Sequence, residues 1–114
     1  MTTQECVDTN NQAQDAERFF ALSSPVRLAL LMLIAEHGGR LNVQALEARL
    51  HEYLSYEISQ PTVSHHLRIL KQVGFIEGKH EGLEKYYRLR RESLGYCIDA
   101  LRVLARLTRK ENSI

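Results

Sequence analysis

A chain of 114 residues, 44% hydrophobic and 25% charged, has the size and make-up of one globular domain. It contains no apolar run near the ~18–20 residues that a membrane span needs. Its start, MTTQECVDTNNQAQDAE, lacks the apolar core of a secretory signal, so a cytoplasmic protein with no membrane partner is expected. The net charge of +1 conceals a division. Residues 1–57 hold four Arg against eight acids, and residues 58–114 hold eleven Lys and Arg against six. A basic half suits nucleic acid, and it equally suits scattered solvated charge. The two cysteines, Cys6 and Cys97, are no disulfide framework and are expected as thiols in a reducing compartment.

In chain order, residues 1–13 are polar and aperiodic, which predicts a flexible tail ahead of one folded domain over 14–110. QDAERFFAL (14–22) places Phe19, Phe20 and Leu22 on a short first helix. SSPVRLALLMLIAEHGG (23–39) is the clearest helix, with Ser24 as N-cap, Pro25 in the first turn and Gly38 as its stop. It is apolar nearly all round, which predicts the central buried helix. LNVQALEARLHEYL (41–54) is capped by Asn42 and carries a Val43, Leu46, Leu50, Leu54 stripe. ISQPTVSHHLRILKQVGF (58–75) follows, with Ser59 as cap, Pro61 in the first turn and Gly74 at the end. FIEGKHEGLEKYYRL (75–89) then reads as two short strands around a glycine-containing turn. A last helix over 93–109 sets Leu94, Cys97, Leu101, Leu104 and Thr108 at heptad-like spacing, with Ile98 and Ala105 beside them. That seam predicts packing against a partner. The fold class is mainly α with a small β-hairpin: a winged helix-turn-helix of four helices, a β wing and a C-terminal helix that packs against a partner.

The adjacent His65 and His66 raise the question of a metal or catalytic pair. At about 100° per residue, Val63, Leu67 and Leu70 define the core side of the fourth helix, flanked by Ile69 and Val73. Ser64, Arg68, Lys71 and Gln72 face away. His65 joins that outer face and His66 points to the core edge. Neighbours in sequence diverge on a helix, whereas a metal pair on one helix needs the i, i+4 spacing of H-E-x-x-H. No Ser/His/Asp arrangement and no glycine-rich phosphate loop occurs, so no enzyme is predicted. The outer face offers Gln60, Thr62, Ser64, His65 and Arg68, side chains that bind base edges and phosphates from a helix in the major groove. Alone, such a face reads equally as an ordinary polar surface. The hairpin turns the balance, because Lys79, His80 and Lys85 surround its tip, from which phosphates or a minor groove come within reach.

ALSSPVRLALLMLI, ISQPTVSHHLRILKQVGFIEG and EKYYRL together resemble the ArsR/SmtB family of winged-helix repressors over roughly residues 15–109. The resemblance implies a homodimer formed by the first and last helices. It implies double-stranded DNA with an inverted-repeat operator as partner, and repression relieved by a metal, a metalloid or a redox signal. It puts the positions of Gln60, Thr62, Ser64 and His65 against DNA and that of His66 at the core-side edge.

The effector sites of the family do not carry over. The third helix has no Cys-x-Cys pair, and the last helix has no histidine and, after Glu92, the single carboxylate Asp99. Met32 stands where a redox branch of the family has a second-helix cysteine. Two sensors are open to this chain. Cys6 and Cys97 could form a redox switch or hold a thiophilic metal or metalloid, against the plain reading of Cys97 as a small hydrophobe. His37, His51 and His80 could instead gather as ligands. HEYLSYEI (51–58) is an insertion relative to the family. It predicts a longer third helix or a wider turn, where Tyr53 and Tyr56 touch the DNA backbone or Tyr53 and Leu54 simply pack the turn. The alternative function is a winged-helix protein-interaction module that does not read DNA.

Overall fold

The computed structural model describes residues 9–112, with side chains from 11 to 108. Five helices and a three-stranded sheet follow in the order α1 (Thr9–Leu22), α2 (Pro25–Glu36), β1 (Arg40–Asn42), α3 (Val43–Leu54), α4 (Gln60–Gln72), β2 (Ile76–Glu81), β3 (Glu84–Leu89) and α5 (Arg91–Asn112). This is the winged helix-turn-helix that the sequence predicts. α1 begins at Thr9, ahead of the 14–22 window and inside the stretch read as tail. Its polar first turns have no apolar period to announce them, but extending a formed helix needs only one more bond per residue. Cys6 lies outside the described residues.

The helix starts obey their caps. Ser24 Oγ accepts from Arg27 N at 3.3 Å. Asn42 Oδ1 accepts from the amides of Gln44 and Ala45 at 2.7 and 3.1 Å. α2 supplies the centre of the core through Ala29, Leu30, Leu33 and Ile34. Leu46 and Leu50 of α3, Val63, Leu67 and Leu70 of α4, and Phe75 and Ile76 close over it. Burial of α2 is less complete than its apolar circumference predicts: Leu28 and Met32 are about half exposed.

A strand the sequence reading lacked stands between α2 and α3. Gly38 and Gly39 both take positive φ (79° and 88°), a conformation closed to most side chains, and turn the chain back into β1. β1 pairs antiparallel with β3, Leu41 opposite Tyr87, and β2 pairs with β3 on its other edge. The sheet order is therefore β1-β3-β2. Three residues without alternation give no strand signal; tertiary pairing with β3 makes the strand. At the other end of the wing, Ser93 Oγ donates to Val73 O at 3.0 Å and Arg90 N donates to Phe75 O at 2.7 Å. These bonds fasten the start of α5 to the end of α4.

α5 runs on past the domain. From Leu101 to Thr108 every side chain is exposed, including Leu101, Val103, Leu104 and Leu107. Among the described residues no single helix is long and apolar enough to cross a membrane. α1 and α2 pass that test only together, across an 86° bend, and α2 lies in the core.

Candidate nucleic-acid interface

α4 presents the surface the helical wheel assigns to it. Val63, Leu67 and Leu70 are buried, while Gln60, Thr62, Ser64, His65 and Arg68 are all exposed, and His66 is half-buried between the two sides. The start of the helix is held in place. Ser59 takes the extended backbone of an N-cap and its Oγ accepts from Thr62 N at 3.3 Å. It also shares a 2.8 Å hydrogen bond with the Thr62 hydroxyl. Ser59→Ala leaves an amide of the first turn without its acceptor and is expected to cost about 1 kcal/mol, read as a lower midpoint in urea denaturation with unchanged slope. The Gln60 amide donates to Glu47 of α3 at 3.4 Å, which ties the two helices of the motif together at the surface.

Residues 51–58 finish α3 and make the turn into α4. α3 continues to Leu54, and the turn after it passes through Ser55 in the left-handed region (φ 62°). His51 Nε2 donates to Ile58 O at 3.3 Å and closes the turn. Tyr53 and Tyr56 are half exposed on its outside, so packing of the turn falls to Leu54 and Ile58.

The wing divides the predicted cations between two faces. Side chains alternate along a strand, so His80 and Lys85, opposite each other in register, share the face of Ile76 and Tyr87, while Lys79 lies opposite Tyr86 on the other. Lys79 and His80 are exposed. Lys85 is half-buried, its stem folded across Gly78, where a Cβ would come within 3.0 Å of Lys85 Cε. Its ammonium lies 5.1 Å from the Tyr87 ring centre.

The ion pairs decide which charges are available to a polyanion. Arg40 pairs with Glu81 and covers the Tyr86 ring at 3.9 Å. Arg88 binds Glu77 at 2.6 Å, which holds the Glu77 carboxyl below the usual carboxylate range, and Arg90 reaches Glu77 and Glu92. The outer face of the sheet is thus largely self-neutralised. Among the described residues no ion pair engages Arg68, Lys71, Lys79 or Lys85. On α4 and the wing these four are the cations left uncommitted; Arg91 and Arg106 of α5 are also outside the ion pairs.

The three candidate histidine ligands are not brought together. His37 Nδ1 lies 2.8 Å from Leu33 O and His51 binds Ile58 O, while His80 is on the wing. Among the described residues no three His, Cys, Asp or Glu side chains gather as a metal site. Cys97 is buried (4% exposed) beside α1, near Arg18 and Asp15. Burial pushes its thiol up, in spite of Arg18.

Residues 22–79 match the family model described as a helix-turn-helix domain. The chain is 36% identical over 72 residues to an HTH-type transcriptional regulator of Methanocaldococcus jannaschii, covering 63% of this chain and 73% of that one. It is also 36% identical over 78 residues to the HTH-type transcriptional repressor SmtB of Mycobacterium tuberculosis, covering 68% of this chain and about half (52%) of the repressor. Among solved structures, a homodimeric winged helix-turn-helix DNA-binding domain of Mycobacterium bovis, a possible ArsR-family regulator, superposes with a TM-score of 0.61 at 27% identity. That match covers 88% of this chain and 85% of that one. The chain belongs to the ArsR/SmtB family of winged helix-turn-helix transcriptional regulators. Within this ArsR/SmtB regulator, α3 and α4 form the helix-turn-helix, and β2 and β3 form the wing.

Proposed function

We propose that the protein is a cytoplasmic, non-enzymatic repressor that binds an inverted-repeat operator as a homodimer. The observation that carries the DNA reading is the exposed polar face of α4 beside the uncommitted cations Arg68, Lys71 and Lys79. Gln60, Thr62, Ser64, His65 and Arg68 enter the major groove and meet base edges and phosphates. Lys79, His80 and Lys85 on the wing meet backbone or the adjacent minor groove. The dimer reading is supported by the apolar outer half of α5, where Leu101, Leu104 and Leu107 are each more than half exposed, and by the homodimeric state of the Mycobacterium bovis relative.

The signal that releases the repressor is assigned to Cys6 and Cys97, as a redox pair or a thiophilic metal or metalloid site. The buried Cys97 reacts only when the α1–α5 contact opens, since the thiolate is the reactive form and burial disfavours it. Fluorescence anisotropy with the DNA upstream of its own gene tests both parts. Specific binding by reduced protein alone supports the thiol switch, and equal binding after oxidation removes the switch but keeps the repressor. No specific binding in either state removes the operator reading.

Base reading and phosphate contact separate by variant. Lys79→Ala is expected to weaken binding to all sequences alike and to lower the salt slope by about one unit. Ser64→Ala relaxes preference at particular bases, and an unchanged base preference in a site-selection assay would show that Ser64 does not read them.

A further inference from the structure

Arg27 of α2 is buried (6% exposed), and among the described residues no carboxylate pairs with it. A buried charge needs compensation, and here neutral acceptors supply it. Arg27 Nε donates to Ala21 O at 2.7 Å and Nη2 to Phe20 O at 3.2 Å, both at the end of α1. Nη1 lies 3.0 Å from His66 Nδ1 of α4. The guanidinium also sits 5.3 Å from the Phe20 ring centre. One side chain therefore joins three helices.

The chemistry of that third contact is restrictive. A guanidinium only donates, so His66 Nδ1 must offer its lone pair. The imidazole is then neutral, with its proton on Nε2. Protonation would set N–H against N–H and cation against cation. The charged and titratable groups bearing on His66 are Arg27 from α2 and His65 on α4 itself, whose ring centre is 5.7 Å away, while α1 meets the cluster with the Phe20 and Ala21 carbonyls and the Phe20 ring. Burial first, then Arg27 and His65, hold the His66 pKa below the ordinary 6.5.

We infer that Arg27 and His66 are a positioning pair for DNA binding: Arg27, anchored on the last carbonyls of α1, fixes the reading helix α4 through neutral His66 and releases it when that imidazole is protonated. This rests on α4 being the DNA-contacting helix. It makes operator affinity fall in mild acid, although protonating histidines near phosphates ordinarily raises it. It also makes the end of α1 and the reading face of α4 move as one body.

The folded state binds fewer protons at His66 than the unfolded state. The contact therefore stabilises fully above about pH 6.5 and is lost as pH falls below that, through the lowered folded value. His66→Gln supplies an amide oxygen to Arg27 that does not titrate. Anisotropy with DNA from upstream of the gene is measured at about pH 7.5 and about pH 5.5, on either side of the imidazole range. His66→Gln is expected to bind as wild type at the higher pH. At the lower pH wild type falls behind it by about tenfold or more, the worth of a hydrogen bond to a charged group. His65→Gln, at the exposed neighbour, keeps the acid loss. The same acid response in wild type and His66→Gln overturns the proposal.

A second measurement reads the pair without DNA. Nitrogen-15 NMR of the free protein is expected to show the Nε2–H tautomer of His66 at neutral pH. An Nδ1–H or protonated ring there overturns the proposal whatever the binding data. Absence of DNA binding at every pH, with that tautomer present and the acid loss of melting temperature abolished by His66→Gln, sinks the DNA reading and leaves the three-helix contact standing.

Discussion

Leu104→Asp is expected to turn the protein into a monomer and to lower its affinity for an inverted-repeat operator by about 10²- to 10⁴-fold. Leu104 is 59% exposed in the protomer and shares its surface with Leu101 and Leu107. A carboxylate there removes no core contact, so the circular dichroism of the monomer is that of the wild type. In the proposed homodimer the same carboxylate is buried in the two-fold interface near its own copy, unpaired and desolvated. Each monomer then grips one half-site, and the second binding event loses the high effective concentration that linkage provides. Sedimentation velocity beside anisotropy makes the check. A Leu104→Asp protein that remains dimeric would place the interface elsewhere.

Phe75→Ala carries the largest expected cost in stability, about 3–5 kcal/mol. Phe75 is completely buried and stands at the junction of α4 and the wing. Its amide donates to Leu70 O at 3.0 Å, and its carbonyl accepts from Arg90 N at 2.7 Å. The backbone bonds hold the surrounding chain in place and limit its collapse into the void, which is where the cavity contribution is largest. Against a total stability of order 5–15 kcal/mol, the loss is a large fraction and appears in urea denaturation. A cost under about 1 kcal/mol would mean that α4 and β2 close up over the gap.

Most of the helical framework was legible because its determinants are local. Ser24, Asn42 and Ser59 each cap the helix the sequence assigned to them, and the wheel placed His65 outward and His66 at the core edge. β1 was not legible. Arg40, Leu41 and Asn42 form a strand only because Tyr86, Tyr87 and Arg88 lie beside them, a long-range fact with no local mark. The wing was half legible: Lys79 and His80 are exposed, but Lys85 lies back across Gly78, and the pairing of Arg40, Arg88 and Arg90 with Glu77, Glu81 and Glu92 could not be counted from composition. Arg27 was hidden for the opposite reason. In sequence it is one cation in an apolar helix, and only the fold shows that α1 carbonyls and His66 converge on it.

The sheet order leaves β1 and β2 as its two open edges, and open edges are where proteins aggregate by adding strands from a neighbour. β1 offers only Arg40–Asn42, too short to template a partner. β2 is longer, but Glu77, Lys79 and Glu81 succeed one another along one face of Ile76–Glu81, so a second copy laid alongside would bring ionised side chains together without water. The protein can therefore be concentrated without its wings zipping into fibrils, and self-association is left to the apolar surface of α5.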